Sequence, residues 1–184
     1  MDVPVSGENQ SIWEEMLTAN SGESLAAISN EQPVLLIFLR HFGCSFCREA
    51  ISDLSKLKAK MESKGIRMVF VHMAPKSQTA EKYFKRYKMH PVDHISDPEK
   101  QYYRAFGLLR CSPAKLIGFM NWVRGFQAAV LEGHGATPEN EEIGDGFQMP
   151  GVFVLYKGSI LNSFVHRFPY DRPDYEEILD TCSI

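Results

Sequence analysis

The first clear feature along the chain is a continuous apolar run, Val34-Leu-Leu-Ile-Phe-Leu39, bounded by Glu31-Gln-Pro33 before it and polar residues after it. An uninterrupted run of strand length predicts a strand covered on both faces, central in a sheet. Cys47, Ala50, Ile51, Leu54, Leu57 and Met61 then recur at three- and four-residue intervals, with Lys56, Lys58 and Lys60 between them and Gly65 closing the pattern. That spacing predicts an amphipathic helix of about five turns. Ile66 to Met73 reads as a second buried strand, so this part of the chain is one strand–helix–strand crossover.

Residues 78–88 carry a shorter helical pattern with a basic, solvated face, ended by His90-Pro91. Asp93 to Asp97 fits a short strand, and Pro98 to Phe106 a short helix beginning on proline. From Ser112-Pro113, the residues Leu116, Ile117, Met120, Trp122, Val123 and Phe126 belong to a long, unusually apolar helical segment that ends at Gly133-His-Gly135. It has more apolar positions than one buried helix face needs, so it is expected to cover a crevice or to pair with a second copy in a homodimer. The acid- and glycine-rich stretch 136–146 reads as a loop. Gly151 to Tyr156 and Ser159 to Val165 flank Lys157-Gly158 as a hairpin, and Pro173 to Cys182 closes the chain as a helix.

These elements predict one α/β domain over 1–184, with a polar N-terminal extension over 1–30 and a helical insertion and loop over 111–146. The strands 34–39 and 66–73 should be parallel neighbours, with the 151–165 hairpin antiparallel on the same sheet.

Composition narrows the function. The 184 residues are 44% hydrophobic and 23% charged, with Lys+Arg 20 against Asp+Glu 23 and a net charge of -3. There is no basic footprint for a nucleic acid and no apolar run of membrane-spanning length, so neither partner is expected. The first thirty residues lack a basic segment followed by an apolar one, which predicts a cytoplasmic protein. Four cysteines are too few for a disulfide-stapled scaffold, and the isolated Cys111 and Cys182 are read as structural.

Chemistry concentrates in Arg40-His-Phe-Gly-Cys-Ser-Phe-Cys-Arg48, between the first strand and the helix. Strand carboxyl ends face the ligand crevice in open α/β sheets, and Cys44 would stand there at a helix N-terminus, where backbone amides and the dipole stabilise a thiolate. Arg40, His41 and Arg48 add positive charge, and Arg48, which opposes the dipole, is best understood as serving an anion. Three uses of the Cys44/Cys47 pair compete. Zinc would call for a second cysteine pair or a histidine pair, and none is spaced for it. An inert pair of core cysteines is the second. The third, which the position favours, is a reversible dithiol and disulfide, the exposed Cys44 attacking and the deeper Cys47 resolving. His41 is either a proton shuttle or a ring packed at the strand end. The remaining histidines show no metal-like spacing, and no metal or cofactor is called for.

The strand, the Cys-x-x-Cys turn, the long helix and Met149-Pro150 before a hairpin together resemble the thioredoxin fold. More closely, Leu39-Arg-His-Phe-Gly-Cys-Ser-Phe-Cys-Arg-Glu49 and Asp145-Gly-Phe-Gln-Met-Pro-Gly-Val-Phe-Val-Leu155 are similar to the peroxiredoxin-like branch of the alkyl hydroperoxide reductase and thiol-specific antioxidant superfamily. This resemblance covers roughly residues 32–180. It implies a thioredoxin-like α/β fold, a central mixed sheet flanked by helices, and thiol-disulfide or peroxide chemistry at Cys44. It also implies a cis Met149-Pro150 bond beside the cysteine turn, with Phe46, Met149 and Pro150 against the substrate.

The chain departs from true peroxiredoxins at two positions. They place Pro seven residues and Thr or Ser three residues before the reactive cysteine, where this chain has Ile37 and His41. With that hydroxyl missing, the expectation is a thiol-disulfide oxidoreductase whose disulfide exchange exceeds peroxide turnover, using Cys44, Cys47 and an open strand edge at Met149. An atypical peroxiredoxin is the alternative, and a non-catalytic redox sensor or binding module the second. The enzyme readings need a thiol electron donor, which the residues do not identify.

Overall fold

A computed structural model describes residues 8–111, 145–168 and 170–180. The predicted insertion helix over 113–131, its proposed lid or dimer role, most of the 136–146 loop and Cys182 lie outside the described residues. Helices α1 (Glu8–Glu15) and α2 (Leu25–Glu31) precede β1 (Val34–Phe38), α3 (Ser45–Ser63), β2 (Arg67–His72), α4 (Ser77–Arg86), β3 (Asp93–Ser96) and α5 (Gln101–Ala105). Strands β4 (Gly151–Tyr156) and β5 (Ser159–Val165) and helix α6 (Tyr175–Asp180) follow.

The five strands form one sheet in the order β3-β2-β1-β4-β5. β1 runs parallel to β2, with Val34 opposite Arg67, and antiparallel to β4, with Phe38 opposite Gly151. All five residues of β1 are buried, as a central strand requires. The expected parallel pair and antiparallel hairpin therefore share one sheet in a thioredoxin-like arrangement. Lys157 (φ 46) and Gly158 (φ 73) both take the left-handed conformation that a two-residue hairpin turn demands.

Alternation along the strands divides the core. Leu35, Ile37, Phe70, Val152 and Val154 face α3, α4 and α6 on one side. On the other, Leu36, Phe38, Val69, Val71 and Phe153 meet Trp13, Met16, Leu25, Ile28 and Phe106. The stretch read as a polar N-terminal extension thus supplies part of one helical layer. Trp13, Met16, Leu25 and Ile28 of this stretch are fully buried, although Leu17 is exposed, and Ser24 caps α2 by accepting the Ala27 N–H at 3.2 Å.

Candidate active site

The carboxyl end of β1 delivers the chain into the cysteine turn. Leu39 remains in the ladder through its N–H to Val71 O (2.9 Å), and the Tyr103 hydroxyl donates to the carbonyls of Leu39 and Val71. Tyr103 thereby ties the ends of β1 and β2 together beneath the turn. No sequence motif identified it, because its role depends on α5 packing back across the sheet.

Cys44 is the N-cap of α3, with φ -78 and ψ 125, and its N–H donates to His41 O at 3.1 Å. Its carbonyl accepts the Arg48 N–H at 3.2 Å, the first bond of the helix. Cys44 is half-buried, Cys47 is only 4% exposed, and both are free thiols. A hydrogen bond from the Cys47 thiol holds the Cys44 pKa well below the ordinary thiol value, and the Arg40 charge lowers it further against the opposing effect of burial. The same bond and burial push Cys47 well above the ordinary value. The pair is therefore polarised, the less buried Cys44 being the more acidic thiol and Cys47, one turn behind, the less acidic.

Arg40, 5% exposed, is the cation next to this thiolate. Its Nε donates to Gln148 O at 3.1 Å, one Nη lies 3.7 Å from Met149 Sδ, and its backbone N–H donates to Cys47 Sγ at 3.2 Å. His41 departs from the expected cationic role. Burial pushes its pKa down, against the Cys44 charge that raises it, so its charged form, which favours the Cys44 thiolate, is held less readily than that of Arg40. The ring lies against Gly146, where an added Cβ would stand 3.5 Å from His41 Nε2. Arg48 also differs from expectation. It is fully buried and donates from Nη2 to Gly43 O at 3.0 Å, bracing the cysteine turn from inside the protein.

Met149-Pro150 is the main correction. The described X-Pro bond that is cis is His90-Pro91, and Met149-Pro150 is trans. Its backbone edge is occupied as well: Met149 N–H donates to Leu109 O at 3.2 Å, Gln148 O accepts Arg40 Nε, and Pro150 O accepts the His166 N–H at 3.4 Å. A trans bond carries the chain extended into β4, where Gly151 pairs with Phe38. The open edge expected for a disulfide substrate is therefore absent, and Met149 is buried.

A cavity opens beside Cys44. Phe46, Ile37, Pro150 and Val152 give it an apolar lining, and Glu49, His166 and Arg172 supply polar groups that the sequence did not single out. Burial lowers the His166 pKa to about 4, so this ring is neutral at pH 7. Arg172 reaches the cavity only because α6 folds back against α3, a contact between residues more than a hundred positions apart. Among the described residues, no group of three or more His, Cys, Asp or Glu could hold a metal ion, and no helix is long and apolar enough to cross a membrane.

Comparison with known proteins agrees with this geometry at the level of family. The family described as AhpC/TSA antioxidant enzyme matches residues 53–168, a span that begins after the cysteine turn. Prostamide/prostaglandin F synthase of Danio rerio is 28% identical over 92% of this chain and 85% of its own length. The protein of the same name from Sus scrofa is 30% identical over 90% of this chain and 82% of its own. Among solved structures, Xanthomonas campestris peroxiredoxin Q aligns with a TM-score of 0.61 at 10% identity, covering 98% of this chain and 92% of that one. A putative thiol:disulfide interchange protein DsbE from Chlorobium tepidum aligns at 0.57 and 19% identity, covering 91% of each.

Proposed function

Because this chain belongs to the AhpC/TSA antioxidant enzyme family, we propose that it is a thiol-dependent reductase in which Cys44 attacks, Cys47 resolves, and the bond reduced is the O–O bond of an apolar peroxide. The observation that carries the dithiol mechanism is geometric: Cys44, half-buried, is the N-cap of α3, and Cys47, 4% exposed, lies one turn behind it and accepts the Arg40 N–H at 3.2 Å. The thiolate is the nucleophile, and the neighbouring thiol keeps a proton for the leaving group.

With a hydroperoxide, the Cys44 thiolate attacks the terminal oxygen. An S–O bond forms, the O–O bond breaks, and the departing alkoxide takes up a proton to become an alcohol. Cys47 then attacks the Cys44 sulfenic sulfur, forming the S–S bond and releasing water. The dithiol loses two electrons and the peroxide gains them, and an external thiol reductant restores the pair. The Arg40 guanidinium, next to Cys44, supplies the electrostatic stabilisation that a Thr or Ser at position 41 gives true peroxiredoxins.

Two observations move the substrate from a disulfide to a peroxide. The Met149 edge that a disulfide-bearing peptide would need is hydrogen-bonded within the protein, and the cavity beside Cys44 has an apolar lining. The name of the relatives, prostamide/prostaglandin F synthase, is consistent with a lipid substrate. Disulfide exchange remains the second reading, since an accessible thiolate with a resolving thiol is sufficient for the first attack.

The test is steady-state turnover of an alkyl hydroperoxide and of a small disulfide, side by side, with dithiothreitol as reductant. Peroxide turnover should dominate and vanish in Cys44→Ser, while Cys47→Ser should retain a single stoichiometric attack. Faster disulfide turnover would return the assignment to disulfide exchange. Retained turnover in Cys44→Ser would remove Cys44 as the nucleophile, and absence of both activities from the wild-type chain would leave a redox sensor or binding module.

A further inference from the structure

One peptide group connects a buried hydroxyl to the thiol pair. The Tyr103 hydroxyl donates to the Leu39 carbonyl, and the N–H on the other side of that same peptide, the Arg40 N–H, donates to Cys47 Sγ at 3.2 Å. Cys47 in turn hydrogen-bonds Cys44. Val71 O, the other acceptor of the hydroxyl at 3.1 Å, is already engaged by the Leu39 N–H at 2.9 Å. The phenol is held in place from behind. Its ring is fully buried and packs edge-on against Phe38, with centroids 4.9 Å apart. The Asp97 carboxylate fixes the first turn of α5 by accepting the N–H groups of Gln101, Tyr102 and Tyr103 at 2.9, 2.8 and 3.2 Å. Burial pushes the Tyr103 pKa well above the ordinary phenol value, so the hydroxyl stays a donor.

We propose that Tyr103 is a positioning residue for Cys47: its hydroxyl polarises the Leu39–Arg40 peptide, and the strengthened Arg40 N–H stabilises the Cys47 thiolate that resolves oxidised Cys44. The inference rests on Cys47 attacking a Cys44 sulfenic acid formed from a peroxide. A donor on a carbonyl oxygen draws electron density through the conjugated C–N bond, so the N–H of that peptide becomes a stronger donor. In the resolving step Cys47 has given its proton to the departing alkoxide and attacks the sulfenic sulfur as a thiolate. The S–S bond forms, the S–O bond breaks, and the leaving hydroxide takes up a solvent proton to become water. The Cys47 sulfur is oxidised and the sulfenic sulfur reduced.

Cys47 is where such a donor is useful. The hydrogen bond with Cys44 and burial push its thiol well above the ordinary value, and burial persists after Cys44 has reacted, so the thiolate is the scarce form there. Stabilising a scarce thiolate raises its population faster than it lowers its nucleophilicity, which falls only about half as steeply with pKa. The Arg40 guanidinium is turned to Gln148 O and Met149 Sδ, so the part of Arg40 bonded to Cys47 is its backbone, the part that Tyr103 polarises.

The test is rapid-quench kinetics on the full-length protein with cumene hydroperoxide, read by mass spectrometry. Oxidation of Cys44 reports the first step, and appearance of the Cys44–Cys47 disulfide reports the second. Tyr103→Phe keeps the ring against Phe38 and removes only the hydroxyl. The second step should slow about threefold, and the first, one bond further from the hydroxyl, should slow by less. Tyr103→3-fluorotyrosine retains the ring and gives a stronger donor, so it should speed the second step. Tyr102→Phe loses a comparable hydroxyl bond on the same helix, to Glu15 O at 3.1 Å, and should leave both steps unchanged. Equal second-step rates in the wild-type, Tyr103→Phe and fluorotyrosine proteins overturn the proposal. So does a Tyr102→Phe protein slowed as much as Tyr103→Phe, which would mark the effect as lost stability. Where Tyr103→Phe fails to fold, the fluorotyrosine protein decides, and no acceleration in it overturns the proposal. If peroxide produces no Cys44–Cys47 disulfide in the wild-type chain, the peroxide reading of the pair fails and the role of Tyr103 falls with it.

Discussion

The backbone N–H of Arg40 donates to the sulfur of Cys47 at 3.2 Å, joining the last residue before the cysteine turn to the deeper thiol of the pair. Cys47 in turn hydrogen-bonds Cys44, so the end of β1 and the start of α3 are coupled through sulfur. The acidity of Cys44 therefore depends on the register between strand and helix as well as on the cysteine itself.

The two thiols should be distinguishable by rate. Iodoacetamide alkylation followed against pH is expected to modify Cys44 first, with a midpoint below that of an ordinary thiol, because the Cys47 hydrogen bond and Arg40 favour its thiolate. Cys47→Ala removes that donor and should move the midpoint upward. Faster modification of Cys47 in the wild-type chain would reverse the assigned roles.

Arg40→Met keeps the backbone bond to Cys47 but removes the guanidinium from Cys44 and from Gln148 O. The expected results are an upward shift in the Cys44 alkylation midpoint and a fall of about 100-fold in peroxide kcat/KM. Stability should drop by about 1–3 kcal/mol in urea unfolding, since a buried carbonyl loses its charged donor. Unchanged turnover would remove Arg40 from the site chemistry.

His72 and His94 form a buried pair, Nε2 to Nδ1 at 3.0 Å, behind the Phe42 ring of the cysteine turn. Burial, reinforced by His94, lowers the His72 pKa from 6.5 to about 3. Below pH 6.5 the unfolded chain takes up a proton that the native one refuses, so stability is complete above that pH and declines as pH falls towards 3. At pH 5 the loss from this group is about 2 kcal/mol. Urea midpoints at pH 7.5 and pH 5 should therefore separate clearly, and His72→Gln should reduce the separation.

Gly151 opens β4 where there is no room for a side chain. A Cβ there would stand 2.6 Å from Leu108 Cδ2 and 3.2 Å from Phe153 Cε2, both on buried residues that cannot swing into solvent. Gly151→Ala should cost about 1–3 kcal/mol in thermal or urea unfolding. A neutral substitution would mean that Leu108 repacks freely.

By itself the sequence determined the local layout. The apolar run of β1, the helical spacing of α3 with its closing Gly65, and the Lys157-Gly158 turn are written in consecutive residues, because burial on two faces, helical periodicity and left-handed turn conformations each leave a short-range pattern. The position of Cys44 ahead of a helix was legible for the same reason, and so was the deeper burial of Cys47 one turn on. Only the tertiary structure decided what surrounds that pair. Whether His41 carries charge depends on how deeply it is buried, and the work of Arg48 depends on which carbonyl it meets. The state of the Met149 edge depends on Leu109, Gln148 and His166 arriving from other segments. Glu49 and Arg172 meet across more than a hundred residues. Such contacts leave no periodic trace in the chain, because they follow from where the packed layers bring distant residues together rather than from the spacing of neighbours.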